Sequence, residues 1–216
     1  MMPSSLKYTG VILAGGQSSR MGQNKALLPI DDHTIIERVA KALKPTVSSL
    51  WIAGNDTADY SFLQLSSVPD KFPGQGPLAG LHAALSQISS EWYVISACDL
   101  PFASTVLMEY LIEQTRIEGT QAVIPIQDGR IHPLYAVYHC SVLPSLQTAL
   151  EHNQRRVRDW LDQQQVKYVE IESLYATQSN ILSSFQSISE YSLYNMNDPQ
   201  SYEQVLHLLE QYPSLR

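Results

Sequence analysis

Leu13-Ala14-Gly15-Gly16-Gln17-Ser18-Ser19-Arg20-Met21-Gly22-Gln23-Asn24-Lys25 follows directly on Tyr8-Thr9-Gly10-Val11-Ile12 and precedes a helical pattern from Thr34 to Leu43. The run before the loop is short, apolar and β-rich, which reads as a buried parallel strand. A glycine-rich turn between strand and helix leaves backbone N–H groups free to face a ligand and lets that ligand come close. Arg20 adds a fork of donors and Lys25 a compact cation. A lone Gly-Gly would read as an ordinary βα turn. An Arg and a Lys within the same loop favour phosphate binding. The loop is neither of the two common phosphate motifs: Lys25 lies between Asn24 and Ala26 rather than in Gly-Lys-Ser/Thr, and Gly15-Gly16-Gln17 does not open a G-x-G-x-x-G fingerprint.

Outward from this loop, apolar runs alternate with helical patterns, as in an α/β sheet. Ser49 to Ala53, Ser66 to Val68 and Glu91 to Ser96 read as further strands, followed by Gln121 to Pro125 and Leu134 to Tyr138 on either side of an Asp128-Gly129 turn. Val166 to Ile171 reads as a last strand. Helices are expected from Leu78 to Ile88 with Pro77 in the first turn, from about Ser104 as a cap, through Ser141 to Gln165, and from Pro199 to Leu209. The segment from Tyr175 to Ser192 has no clear periodicity. In an open parallel sheet, ligands bind outside the carboxyl ends of the strands. The loops after the first strands carry Gly15 to Lys25, Asn55, Asp70 and Asp99, so all of them are expected to open on one edge.

The 216 residues can bury one substantial core, and one domain spanning 1–216 is the expectation. A hydrophobic content of 44% with 16% charged residues is that of a globular chain. The net charge of −7 argues against nucleic acid as a partner, although Arg and Lys gathered in one cleft can still hold an anionic small molecule. No apolar run qualifies as a membrane span and the first residues lack a secretory core, so a cytoplasmic location is expected. Cys98 and Cys140 are too few for a disulfide framework or a thiolate zinc site.

Asp99, at the end of the most convincing central strand, is the candidate metal ligand. Magnesium keeps several waters and takes one or two carboxylates beside substrate phosphates, so a single Asp suffices. The alternative is that Asp99 caps the following turn or helix. Asp70 opens a Gly- and Pro-rich stretch through Gly80, where it reads either as an acceptor for a nucleoside or as a turn residue. Cys98 reads as a small apolar packing residue.

Gly15, Gly16, Arg20, Gly22 and Lys25 resemble the signature loop of the nucleotidyltransferases. Within that superfamily, Leu13-Ala14-Gly15-Gly16 with Arg20-Met21-Gly22 and Lys25 is similar to the molybdenum cofactor guanylyltransferase family. Asp70 with Gly76-Pro77-Leu78-Ala79-Gly80, Arg155-Arg156-Val157 and Asn195-Met196-Asn197 before Pro199 extend the resemblance from Gly10 through Pro199. The resemblance implies a three-layer αβα fold with a mostly parallel, Rossmann-like sheet of the nucleotide-diphospho-sugar-transferase type. It implies Mg²⁺ on Asp99, with Lys25, Arg20 and Asp99 catalytic. It places Leu13, Ala14, Gly15, Gly16, Lys25, Asp70 and Asp99 against the nucleotide. The implied substrates are GTP and molybdenum-molybdopterin, with a molybdoenzyme or chaperone as transient partner.

The resemblance gives Arg155 and Arg156 a role in holding the second substrate, against the alternative of a solvated helix face. His132-Pro133 would line the same pocket, or be structural. Asn197 would assist the metal, or cap the last helix. Asn24 departs from the acid the family usually has before the lysine, and Ala53 stands where some relatives have an asparagine that Asn55 could replace. A molybdopterin cytidylyltransferase and a sugar-phosphate nucleotidyltransferase share the loop and the Asp, and a non-catalytic GTP-binding module shares the loop. Gly-Pro-Leu-Ala-Gly and Arg-Arg-Val favour the guanylyl reading.

Overall fold

The computed structural model describes residues 8–15, 24–172, 174 and 190–215. The strand before the glycine loop, β1 (Tyr8–Leu13), lies at the middle of a sheet. It is flanked in parallel by β4 (Ser49–Ala53) and β6 (Trp92–Ala97). β5 (Ser66–Val68) extends the parallel set beyond β4. On the other side, β9 (Tyr135–His139) runs antiparallel to β6 and to β7 (Ala122–Gln127), and β10 (Val166–Glu170) is parallel to β7. The order is therefore β10-β7-β9-β6-β1-β4-β5, with a short β8 (Arg130–Ile131) paired to β7. Asp128 and Gly129, both at positive φ (50° and 70°), make the tight turn between β7 and β8.

Both faces of the sheet are covered, which is why β1 and β6 are apolar almost without interruption. Val11, Leu13 and Ile95 pack with α2 (Pro77–Gln87), α4 (Leu143–Glu151) and α5 (Val157–Leu161). Ile12, Ala14, Ile52 and Val94 pack with α1 (Ile35–Leu43) and α3 (Thr105–Gln114) on the opposite face. This is the expected three-layer arrangement. A third cluster joins α6 (Pro199–Gln211) to Leu28, Ile30 and Phe102, with Met196 fully buried within it. Ile30 and His33 belong to a small hairpin, β2 (Pro29–Ile30) and β3 (His33–Thr34), absent from the sequence expectation.

Local signals explain the helix starts. The Glu37 carboxylate accepts from the Thr34 N–H at 2.7 Å and from its hydroxyl at 2.8 Å, closing the first turn of α1. Those bonds hold the Glu37 carboxyl below its ordinary value. Ser104 Oγ accepts from the Leu107 N–H at 3.3 Å, as expected for its cap of α3.

The expected helix from Ser141 to Gln165 is corrected to two. Asn153 adopts a left-handed conformation (φ 57°), and the N–H of Gln154 returns to the Ala149 carbonyl at 2.9 Å while that of Asn153 reaches Leu150 at 3.0 Å. This closing pattern ends α4. Arg155 and Arg156 therefore lie in an exposed connection ahead of α5, not on a helix.

Where β4 ends, Gly54 passes so close to β1 that a Cβ there would stand 2.5 Å from the Ala14 carbonyl oxygen. That contact is backbone and cannot rotate away. Gly54→Ala is expected to cost about 1–3 kcal/mol, the usual penalty of overpacking, seen as a lower urea midpoint at unchanged slope. An unaltered midpoint would mean that the β1–β4 edge yields freely.

Candidate functional site

The carboxyl ends of β1, β4, β5 and β6 lie side by side, as the parallel register requires. At the end of β1, the Ala14 N–H is donated to the Ala53 carbonyl at 2.9 Å and the Leu13 carbonyl accepts from the Cys98 N–H at 3.3 Å. Leu13 and Ala14 are buried and held by neighbouring strands, whereas Gly15 is exposed. Of these three residues, only Gly15 is open to solvent on the edge. Gly16, Arg20 and Gly22 lie outside the described residues.

The chain returns at Asn24. Its amide donates to the Tyr60 hydroxyl at 3.0 Å, and its Oδ1 accepts from that hydroxyl and from the Ala26 N–H, both at 3.2 Å. The departure at Asn24 thus has a local use: an amide can both give to and take from Tyr60, which a carboxylate cannot. The turn it caps carries Lys25, whose Nζ lies 2.7 Å from Asp99 Oδ2. The same ammonium donates to the Met196 carbonyl and to Asn197 Oδ1, each at 3.2 Å.

Asp99 does not cap the next helix; Ser104 does. Its Oδ1 accepts from Asn195 Nδ2 at 3.1 Å, and its backbone carbonyl accepts from the Met196 N–H at 3.0 Å. Arg38 Nε, donating to the Pro101 carbonyl at 2.9 Å, fixes the turn that follows. Asn197 is not the cap of α6 either, because Asp198 Oδ1 accepts from the Ser201 N–H at 2.8 Å. Neighbouring Cys98 packs with the apolar cluster, and burial pushes its thiol up to about 12, so it stays protonated.

Asp70 sits on the same edge. Its N–H is donated to Asn55 Oδ1 at 2.8 Å, and Oδ1 of its carboxylate is buried without a hydrogen-bond partner among the described residues. A Cβ placed on Gly15 or Gly80 would come within 3.7 or 3.8 Å of that carboxylate. Burial raises the Asp70 carboxyl above its ordinary value. Ala53 is buried at 1% exposure in β4, and Asn55 is the residue of the two that reaches this loop.

His132 lies just before β9, whose first residue pairs with Ser96 beside the end of β6, so it shares this edge; among the described residues its backbone N–H is donated to the Pro125 carbonyl rather than to Asp99. Burial and Arg130 lower its imidazole below the ordinary value. Arg155 and Arg156 are exposed and make no contact with the Lys25–Asp99 cluster. Asn195, the Met196 carbonyl and Tyr60 had no assigned part in the sequence expectation.

Among the described residues, no three His, Cys, Asp or Glu side chains gather as a metal cluster. A hard divalent cation does not need one, since it takes one or two carboxylates, carbonyl oxygens and waters. Asp99 Oδ2, Asn197 Oδ1 and the Met196 carbonyl already converge on a cation, the Lys25 ammonium, so the donor set fits such an ion.

A family model described as the MobA-like NTP transferase domain matches residues 10–168. The chain belongs to this family. Two curated relatives of this MobA-like protein are named as probable molybdenum cofactor guanylyltransferases. The one from Carboxydothermus hydrogenoformans is 38% identical over 200 residues, covering 93% of this chain and 95% of the relative. That from Pelotomaculum thermopropionicum is 36% identical over 194 residues, with coverage of 90% and 89%. Among solved structures, molybdopterin-guanine dinucleotide biosynthesis protein A from Archaeoglobus fulgidus superposes with a TM-score of 0.76 at 25% identity, covering 94% of this chain and 99% of its own. The MobA-like fold is thus the nucleotidyltransferase fold that the resemblance implied. Among the described residues, no helix is long and apolar enough to cross a membrane.

Proposed function

We propose that this chain, acting as one domain, transfers GMP from GTP to the terminal phosphate of molybdenum-molybdopterin. The products are the molybdopterin guanine dinucleotide and pyrophosphate. The observation that carries the reading is the meeting of Lys25 and Asp99 at 2.7 Å on the strand edge that also holds exposed Gly15 and the unpartnered Asp70 carboxylate. The names of the relatives agree with it.

A pterin-phosphate oxygen attacks the α-phosphorus of GTP, and the bond from that phosphorus to the β-bridging oxygen breaks. The nucleophile is already anionic, so placement and charge matter more than a base. Backbone from Gly15 onward, with Gly16, Arg20 and Lys25, holds the triphosphate. The Lys25 ammonium offsets charge that moves onto pyrophosphate as the bond breaks. Asp99 would hold Mg²⁺, which when bound neutralises phosphate oxygens. Asn195 and the Met196 N–H fix the direction of Asp99. Asp70, braced by Asn55, offers its free oxygen to the nucleoside. Arg155 and Arg156 reach toward the second substrate from their exposed connection.

Competition among GTP, CTP, UTP and ATP tests the base. GTP should bind tightest, and pyrophosphate should appear only when GTP and molybdenum-molybdopterin are both present. Preference for CTP would turn the reading to cytidylyl transfer. Tight GTP binding with no pyrophosphate would leave a binding module.

Asp70 allows a test that separates binding from stability. A carboxyl whose folded-state pKa lies above its unfolded value makes the folded protein favour the protonated form. Ionisation therefore subtracts stability as pH rises past the unfolded value near 3.8. Asp70→Asn is expected to raise the melting temperature at pH 7, with the gain vanishing toward pH 3. It should also weaken GTP binding about ten- to a hundredfold, the value of a hydrogen bond to a charged group. A variant that binds GTP normally would remove Asp70 from the nucleoside site.

A further inference from the structure

Lys25 already has the coordination of a bound cation. Its three N–H donors face three oxygens: Asp99 Oδ2 at 2.7 Å, and the Met196 carbonyl and Asn197 Oδ1 at 3.2 Å. An ammonium has three donors and no acceptor, so this satisfies it completely. One carboxylate, one peptide carbonyl and one amide carbonyl are also the hard oxygens that a divalent ion takes. Two cations cannot share them at such distances, because their repulsion in a partly buried site is several times that in water.

We propose that Lys25 and a divalent cation occupy this seat in turn, and that an arriving triphosphate draws Lys25 off it. The inference rests on the reading of Asp99 as metal ligand, with Asn197 as its assistant, and adds the Met196 carbonyl and the exchange with Lys25. The two sides of the seat differ in freedom. Asp99 is pinned through Asn195 at 3.1 Å and through the Met196 N–H at 3.0 Å, whereas Lys25 is a point charge on a flexible four-carbon stem. Moving Lys25 onto phosphate exchanges one anionic partner for another and frees three oxygens together. Without its ammonium, the Asp99 carboxylate would face two carbonyl-type oxygens with no positive charge between them, a costly arrangement for a group 8% exposed. Nucleotide and metal must therefore assist each other's binding, and by the same factor in both directions.

The test is Mn²⁺ binding followed by electron paramagnetic resonance on the full chain without nucleotide. Lys25→Met should bind Mn²⁺ at least about tenfold tighter than the parent, and adding Asn197→Ala to it should remove most of that gain. Lys41→Met removes an exposed charge on α1 and should leave Mn²⁺ binding as in the parent. Lys25→Gln, which keeps one donor for Asp99, serves the same comparison if Lys25→Met does not fold. Lys25 variants that bind Mn²⁺ no tighter than the parent would overturn the exchange, as would an equal gain in Lys41→Met. Titrating Mn²⁺ with GTP present separates this from failure of the underlying reading. If Asp99→Ala then binds the ion as the parent does, Asp99 is not its ligand and both readings fall. If Asp99→Ala loses the ion while the Lys25 variants gain nothing, only the exchange is lost.

Discussion

Asp99→Ala is expected to abolish GMP transfer while the protein stays folded. Asp99 has three connections: Lys25 and Asn195 through its two carboxylate oxygens, and Met196 through its backbone carbonyl. Alanine keeps only the backbone bond. Without the carboxylate the phosphates lose their metal and Lys25 loses its anionic partner, so kcat/KM should fall at least about a thousandfold, the scale of several kcal/mol of charge stabilisation. Stability should change little. Lys25 keeps the Met196 carbonyl and Asn197 as partners, so its ammonium is not left without acceptors. Asp99→Asn sharpens the result, because it keeps the shape and an acceptor for Asn195 but removes the charge; it should be as inactive as alanine. Magnesium-dependent pyrophosphate release and a thermal melt decide the matter. Full magnesium-dependent activity in Asp99→Ala would show the metal assignment to be wrong.

Lys25→Ala is expected to lose at least about a hundredfold in kcat/KM, in line with the removal of one preorganised electrostatic group. Both KM for GTP and kcat should suffer if, as proposed, the ammonium meets the triphosphate in the ground state and the departing pyrophosphate in the transition state. Lys25→Arg should restore only a minor part of the activity. A planar guanidinium is a bulkier and more diffuse charge than the compact ammonium, so it does not meet the phosphates in the same way. Steady-state kinetics with varied GTP measures both. An arginine variant with parental activity would show that charge alone is required at this position.

Much of this architecture is legible in the chain because apolar strands announce themselves. β1 and β6 are buried on both faces and read as near-continuous apolar runs. Pro77 and Ser104 mark helix starts by their own chemistry, and Asp99 follows from its place at a strand end. What escaped has equally physical reasons. The break at Asn153 depends on one residue turning left-handed within a stretch otherwise compatible with helix. The short hairpin of β2 and β3 turns at Asp31, also at positive φ, with too few residues to establish a period. The Met196 carbonyl could not be found from residue type, because every residue has one. Tyr60 and Asn195 reach the site across 36 and 96 positions of chain, distances that local pattern does not register.

The backbone bond from the Met196 N–H to the Asp99 carbonyl also has a consequence for the order of synthesis. The ribosome delivers β1 and the glycine loop before the strand leading to Asp99, and Asn195 to Asn197 only well after that strand. Domains begin to fold as they emerge, so the sheet can form while its reaction centre is still unfinished. A nascent chain that stalls before Asn195 would carry the strands of the sheet but neither Asn195 nor Asn197 beside Asp99. Arrival of residues 195–197 is then itself the step that completes the surroundings of Asp99.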